Sequence, residues 1–317
     1  MTPDLDAAFL EIIKDHTAGD PQDGKRWTNL LPLEVVALLE NRGFHVSKPT
    51  VRKLFHKHGY VRRKARKDKT HKSHPDRDKQ FKRIRKLRKR FERKDQPVVS
   101  LDSKKKELIG TFYRDGRLYT QETISVNDHD FVNYATGKVV PHGIYDVVNN
   151  KAHINIGSSA DTSEFACDSL LLWWRTHGVL DYPDATEIFF LADGGGSNAA
   201  NSNLFKVDLQ RFANETGLNV TVAHYPPYCS KYNPIEHRVF PHVTRACQGV
   251  VFESVEIVEE LIAKTTTTTG LRLTTSIINK VYETGRKVSA DVVKAVKITR
   301  DKALPRWNYT IAPNVRR

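Results

Sequence analysis

Residues 187–193 read Glu187-Ile188-Phe189-Phe190-Leu191-Ala192-Asp193, an apolar run that delivers an aspartate at its exit. A short apolar run of this length predicts a buried strand. Residues 97–102, Pro97-Val98-Val99-Ser100-Leu101-Asp102, repeat the device. In open α/β sheets the carboxyl ends of strands are where ligands bind. If the two strands are neighbours, their carboxylates converge within reach of one ion.

Working outward, His142 to Val148 and Ala152 to Ile156 predict a hairpin around Asn149-Asn150, the second arm alternating Ala152, Ile154 and Ile156 with His153 and Asn155. Asp161 and Glu164 have the spacing of a capping box for a helix running to about His177. Leu204 to Thr216 predicts a helix with Phe205, Leu209, Phe212 and Ala213 inward, Asn219 to Ala223 a strand, and a further helix opens at Pro234. The stretch from Lys104 to Lys138 is expected to be strand-rich, with turns at Asp115-Gly116 and Thr136-Gly137. Val255 to Thr265 looks helical, and Thr265 to Thr269 carries no assigned role. The order of strand, hairpin, helix, strand, helix, strand, helix makes an α/β sandwich with a mixed sheet the natural fold.

The charge of the chain is concentrated upstream of this region. Arg62 to Asp95 holds 18 Lys and Arg against 5 Asp and Glu, which is +13 of the total formal charge of +14. Such a block is the electrostatic footprint of a polyanion, usually nucleic acid, although a solvated linker is the plainer reading of a charge run. Phe81, Ile84, Leu87 and Phe91 recur at roughly helical spacing, so part of the block is expected to be a basic helical connector lying along DNA. Three widely spaced cysteines, Cys167, Cys229 and Cys247, do not suggest a disulfide framework and point to a reducing cytoplasm. No apolar run reaches membrane-spanning length, and the opening residues lack the order of a signal peptide.

Before the charge block, residues 28–60 predict two short helices around a turn. The first, Pro32 to Asn41, carries Leu33, Val36, Ala37 and Glu40 at helical spacing and stops near Gly43. The second opens with Ser47 as N-cap and Pro49 in its first turn, with Val51, Leu54 and Phe55 on one face. Its other face presents Lys48, Thr50, Arg52, Lys53, His56 and Lys57, and Arg62-Arg63-Lys64 follows directly. A helix-turn-helix lays a face of this kind in the major groove of double-stranded DNA; the alternative is an ordinary helical hairpin with a polar outside.

A third acid, Glu236, falls in the first turn of the helix that opens at Pro234. With Asp102 and Asp193 it completes an all-oxygen donor set suited to Mg²⁺, and two ions about 3.5–4 Å apart would serve in-line displacement at phosphorus. Each acid also has a structural reading: Asp102 and Asp193 as turn formers after strands, and Glu236 as capping-box partner of Asn233. The Gly194-Gly195-Gly196 turn is read as room for a DNA backbone, with Ser197 and Asn198 as contacts. Cys229, His237, His242 and Cys247 have zinc-capable side chains, but their spacing fits no common zinc pattern.

The segment Pro226-Pro227-Tyr228-Cys229-Ser230-Lys231-Tyr232-Asn233-Pro234-Ile235-Glu236-His237 resembles the final-acid motif of the mariner superfamily and its bacterial insertion-sequence relatives. More closely, Ser100 to Gly110, Val126 to Asp130, Gly143 to Asp146, Ala192 to Asn198 and Trp307 to Ile311 resemble the Rhodopirellula-type DDE transposases. The resemblance implies a ribonuclease-H-like catalytic core, Mg²⁺ or Mn²⁺, and a triad that maps onto Asp102, Asp193 and Glu236, with Asn198 and Asn233 as candidate helpers. His237 is a candidate contact to the scissile phosphate, with an ordinary helix-surface histidine as the plainer reading.

The expected organisation is an all-α helix-turn-helix region over residues 1–60, a basic helical connector over 61–96, and a ribonuclease-H-like α/β domain over 97–317. The expected activity is metal-dependent cleavage at transposon ends followed by strand transfer into target DNA. A homodimer on DNA, associated with the bacterial nucleoid, is the matching assembly. The rivals are a non-catalytic DNA-binding protein, meaning a repressor or decayed transposase, and a stand-alone nuclease.

Overall fold

The computed structural model describes residues 3–19, 26–63 and 74–314. The chain divides into two compact units, Met1–Thr70 and His71–Arg317.

The first unit contains α1 (Pro3–Asp15), a two-stranded ribbon of β1 (Thr17–Gly19) and β2 (Arg26–Thr28), α2 (Pro32–Glu40) and α3 (Lys48–Lys57). Leu5, Ala8, Phe9, Ile12 and Ile13 line one stripe of α1 at the helical period and are buried against Val35, Leu39, Val51 and Leu54. The inward face of α2 is therefore Val35 and Leu39, and the expected Leu33 is 60% exposed. A two-helix reading misplaces that face because it omits α1, the element that sets which side is covered. Gly43 ends the α2 turn at φ +83°, in the left-handed region where glycine costs least. Ser47 precedes α3 as its N-cap, yet its hydroxyl pairs with Thr50 Oγ1 at 3.0 Å and not with a main-chain N–H.

The second unit opens with α4 (Arg77–Arg93). Ile84, Leu87 and Phe91 form its buried stripe, and Phe91 stacks on Phe189 with ring centroids 5.2 Å apart. Its sheet is built from β3 (Val98–Ser103), β4 (Glu107–Ile109), β5 (Gly137–Asp146) and β6 (Lys151–Gly157). α5 (Ser163–Trp173) follows, and a π-helical turn over Trp174–Gly178 leads into the short α6 (Val179–Asp181). β7 (Glu187–Ala192), α7 (Asn203–Thr216), β8 (Asn219–His224), α8 (Pro234–Arg238), α9 (Phe240–Ala246) and α10 (Val255–Ala263) come next. β9 (Arg272–Ile278), α11 (Ala290–Lys294), β10 (Ile298–Arg300) and β11 (Asn308–Ile311) complete the unit.

The sheet order is β10-β11-β8-β7-β3-β5-β6-β9, with β4 paired to β5. β5 pairs antiparallel with both β3 and β6, whereas β7 runs parallel to β3 and β8 parallel to β7. This is the ribonuclease-H-like arrangement of a three-stranded meander extended by two parallel strands. Residues alternate across it. Val98, Phe189 and Leu191 face α4, α8 and α9, while Val99, Leu101, Ile188 and Phe190 face α5 and α7. Both faces are covered, so β7 is apolar from Ile188 to Ala192 instead of alternating.

Two expectations fail. Residues 104–138 are mostly irregular, with the three-residue β4 as their strand among the described residues, because their pairing is limited to β5 and isolated bridges such as Phe112–Asn127. In β6 the polar positions His153 and Asn155 are as buried as their apolar neighbours; His153 Nδ1 pairs with Thr274 Oγ1 on β9 at 2.7 Å. No helix among the described residues is long and apolar enough to cross a membrane.

Phe91 anchors α4 to the sheet centre. Phe91→Ala is expected to destabilise the second unit by about 3–5 kcal/mol. Thermal unfolding should register this as a fall of several degrees, and an unchanged midpoint would show that α4 does not share the sheet's core.

Candidate active site

The parallel register of β3 and β7 pairs Leu101 with Ala192. The next residue on each strand is an acid, so Asp102 and Asp193 leave the sheet side by side. Each is steadied by a main-chain donor: Ser103 N–H donates to Asp102 Oδ1 at 2.8 Å, and Gly195 N–H to Asp193 Oδ1 at 3.1 Å.

Glu236 arrives from the other side of the chain's fold, and Asn233 is what holds it there. Asn233 is fully buried; its Nδ2 donates to the Leu101 carbonyl at 2.8 Å, and its Oδ1 accepts from Ser100 Oγ at 2.6 Å. Ser100 Oγ in turn accepts from Ile235 N–H at 3.0 Å. The start of α8 is thus sewn to β3 immediately before Asp102. Asn233 occupies the N-cap position without capping by its side chain, so the capping-box reading of Asn233 and Glu236 does not describe it. Close approach also requires Gly143, which sits opposite Asp102 on β5. A Cβ there would lie 2.5 Å from Ile235 Cδ1 and 2.8 Å from Phe240 Cε1.

The electrostatics follow from this crowding. Burial, then the Asp193 charge, then a hydrogen bond and charge from Glu236 push the Asp102 carboxyl up to about 8, against the Ser103 N–H that favours its ionised form. Burial likewise raises Asp193, helped by Glu236 and Asp161 and opposed by Gly195 N–H. Elsewhere in this unit several acids are matched by cations, Asp168 by Lys280 and Arg211, Asp208 by Arg286, and Glu187 by Arg90 and Lys94, whereas the buried Asp146 is satisfied by neutral donors from Val148, Asn149 and Tyr182. Among the described residues Asp102, Asp193, Glu236 and Asp161 form no such pair. An oxygen-only donor set with unbalanced negative charge fits a hard divalent cation. Among the described residues no group of three or more acidic, histidine or cysteine side chains is placed so that it could hold a metal ion by itself. That suits ions held by one or two carboxylates each together with substrate phosphate.

Behind the site lies a buried polar chain. Burial holds His224 near 4, so its ring is neutral. Nδ1 carries the proton, because it pairs at 2.9 Å with the Asp193 carbonyl, which accepts only; Nε2 then accepts from Tyr309 OH at 3.1 Å. Gln80 of α4 donates to the His224 carbonyl and exchanges hydrogen bonds with Asn308.

Other expected residues fall differently. Asn198 is 2% exposed, its Oδ1 buried without a partner, so it is a buried residue and not a surface contact for DNA. The Ser197 side chain lies outside the described residues. His237 is exposed beside Glu236. Cys229 and Cys247 are buried free thiols and contribute to no metal cluster among the described residues. On α3, Lys48, Arg52, Lys53 and His56 are exposed and Thr50 is half-buried, while Lys57 is drawn into an ion pair with Asp6 at 2.9 Å. Arg62 and Arg63 are exposed; Lys64 lies outside the described residues.

Asp161 escapes sequence reasoning. Its spacing assigns it to the helix cap, but Thr162 caps α5 by accepting from Phe165 N–H at 3.1 Å. Asp161 instead accepts from Ser103 Oγ at 3.0 Å. The available signal is the neighbouring threonine, an equally good cap one residue nearer the helix.

The Rhodopirellula transposase DDE domain family matches residues 8–313. Among solved structures, the Mos1 transposase paired-end complex with left transposon end has 14% identity and a TM-score of 0.46, covering 83% of this chain and 72% of that one. The mariner Mos1 paired-end complex with Mg has 15% identity and a TM-score of 0.45 over the same shares. The Mos1 strand transfer complex has 14% identity and a TM-score of 0.44, covering 83% and 71%. No curated protein matches the chain significantly.

The raised Asp102 carboxyl yields a pH prediction. Between its ordinary value near 4 and about 8 the fold retains a proton that the unfolded chain has released. The stability this group contributes is full at low pH and is lost as pH rises through about 8. In metal-free protein, urea midpoints should therefore decline with pH across this window more steeply in wild type than in Asp102→Asn. Parallel curves would remove the assignment.

Proposed function

The chain belongs to the Rhodopirellula DDE transposase family, and from that membership we propose how its own residues carry the reaction. It is a DNA transposase, a polynucleotidyl transferase that cleaves phosphodiester bonds at transposon ends and joins the freed 3′-ends to target DNA, with dependence on a divalent metal. Asp102, Asp193 and Glu236 are the catalytic acids and hold two Mg²⁺ or Mn²⁺ ions. What carries this reading is the mutual electrostatic contact of three acids from distant parts of the chain, with no ion pair to a cation among the described residues.

When bound, the ions polarise the attacking and leaving oxygens on either side of phosphorus. The chain's part is placement. Ser103 N–H and Gly195 N–H each engage one carboxylate oxygen and so fix the rotation of Asp102 and Asp193. Asn233 and Ser100 hold α8 so that Glu236 meets Asp102, whose shared proton is given up on loading. Asp193 inherits its position from His224 and the buried polar chain behind it. Prepaid placement of this kind is the main protein contribution to phosphoryl transfer.

DNA is engaged by the exposed face of α3, with Lys48, Arg52 and Lys53 as the principal side chains, supported by Arg62, Arg63 and Lys64; Thr50 and Lys57 contribute less because each is already paired within the unit. The domain limits follow the same lines: a DNA-reading region over 1–60, a basic helical stretch to 96 and the catalytic core beyond. Since each chain offers one acid set and an element has two ends, the working assembly is a homodimer on DNA. The cytoplasm, at the nucleoid, is its place of action.

Asp102→Asn and Glu236→Gln are each expected to lower end cleavage by about 10²-fold or more while leaving end binding intact in a gel-shift assay. Cleavage unchanged in Glu236→Gln would favour a non-catalytic DNA-binding protein. A Lys48→Ala/Arg52→Ala double variant should weaken binding, and the slope of log affinity against log salt should fall by about 1 for each phosphate that is no longer neutralised. An unchanged slope would remove α3 from the interface.

A further inference from the structure

We infer that Tyr228 is a substrate contact, its ring stacking on a DNA base beside the phosphate that is cleaved at the transposon end. This rests on the reading of Asp102, Asp193 and Glu236 as the catalytic acids. Tyr228 belongs to residues 225–233, which join β8 to α8 and border those acids at both ends. At the start, Tyr225 N–H donates at 2.8 Å to the carbonyl of Ala192, the residue before Asp193. At the finish, Asn233 is tied to the carbonyl of Leu101, the residue before Asp102.

The segment is pinned so that Tyr228 is turned outward. Cys229 N–H donates to the Pro226 carbonyl at 3.1 Å, and Tyr232 N–H to the Cys229 carbonyl at 2.9 Å. Pro226 and Cys229 are buried, whereas Tyr228 is 69% exposed. Its φ is +62°, in the left-handed region. The other described non-glycine residues with positive φ are Asp95 and Asn150, whose short polar side chains tolerate that region. A bulky tyrosine there is strained. Nothing inside the protein offsets the strain, since among the described residues Tyr228 makes no hydrogen bond and no ring contact. Strain that the surroundings impose on one residue is characteristic of functional sites. An aromatic ring left in water beside a phosphodiester site matches the face of a nucleobase. Bases inside an intact duplex are covered by their neighbours; a face is free at a strand end or an opened pair, and cleavage makes an end at these acids. Cations stand close by in sequence and in space. Lys231 and Arg238 are exposed and pair with no acid among the described residues, and the Arg77 guanidinium lies over the rings of Phe81 and Tyr232 at 5.4 and 5.7 Å. Rings interleaved with cations hold unpaired nucleic acid, the rings taking bases and the cations the backbone.

The test uses the full chain and a transposon-end duplex in which the fluorescent base 2-aminopurine stands beside the cleaved phosphate. Binding of the wild type should quench the fluorescence through stacking. Tyr228→Ala is expected to lose the quenching and to cleave about 10-fold more slowly in a single turnover, the effect of losing one base stack, while Tyr228→Phe keeps both. Tyr228→Gly removes the ring and relieves the backbone, so it should melt no lower than wild type and still lose quenching and rate. Wild-type quenching in Tyr228→Ala overturns the proposal. So does equal loss in the Phe and Ala variants, which would assign the effect to the hydroxyl, or full cleavage in Tyr228→Gly, which would leave the residue only a part in shaping the loop. Glu236→Gln separates the two readings: it should lose cleavage with quenching intact. Undiminished cleavage in Glu236→Gln would overturn the catalytic reading, and the quenching of the Tyr228 variants would still decide the stacking.

Discussion

Two parallel strands that end side by side, each with an aspartate at its exit, put like charges where water is scarce, and the rest of the second unit is arranged around that constraint. Left alone, buried carboxylates take up protons, and Asp102 does so toward pH 8. The fold stabilises them with main-chain N–H groups, which orient a carboxylate without neutralising it, and withholds the lysines and arginines that it supplies to Asp168, Asp208 and Glu187. A site built this way is incomplete without external positive charge. In the proposed reading, divalent ions held by these acids would supply that charge, which would tie the structural imbalance to the chemistry of a transposase.

Holding repelling groups together requires a stiff frame, and it comes from distant parts of the chain. Asn233 and Ser100 bind α8 to β3, and the absent side chain of Gly143 lets Ile235 and Phe240 lie against the sheet. On the other flank, Gln80, His224, Asn308 and Tyr309 form one buried polar chain that reaches the Asp193 carbonyl. These residues come from α4, β8 and β11, so the basic helix and the last strand of the unit both belong to the support of the site. A family match that runs to residue 313 agrees with that dependence.

The strand-to-acid pattern, the β5–β6 hairpin, α7 and α8 are legible in sequence because each rests on a local rule: an uninterrupted apolar run, a turn-forming asparagine pair between two apolar arms, a 3.6-residue period, a proline in the first turn. The pairing of Asp102 with Asp193 follows once two such strands are neighbours. What escapes is set by tertiary contact. The face of α2 depends on α1, and the apolar-looking Leu33 ends up in solvent. Between β4 and β5, residues 110–136 have β-forming residues but only isolated bridges to pair with. His153 and Asn155 alternate as if half-exposed, yet β9, which pairs alongside them, and the helix above bury them. Asp161 has the spacing of a cap, and only the competing hydroxyl of Thr162 shows that it is available for something else. Asn233 likewise looks like a cap in sequence and is a strand-to-helix tie in the fold.

Site and mechanism alike require that these acids gather divalent ions at the shared end of β3 and β7. Anomalous diffraction at the manganese edge, from crystals soaked in Mn²⁺ with end DNA bound, tests this most directly. Manganese peaks are expected within coordination distance of Asp102 and Asp193, with Glu236 on the same ions. Manganese found elsewhere, or Asp102 and Asp193 turned away from a common ion in the loaded complex, would contradict it.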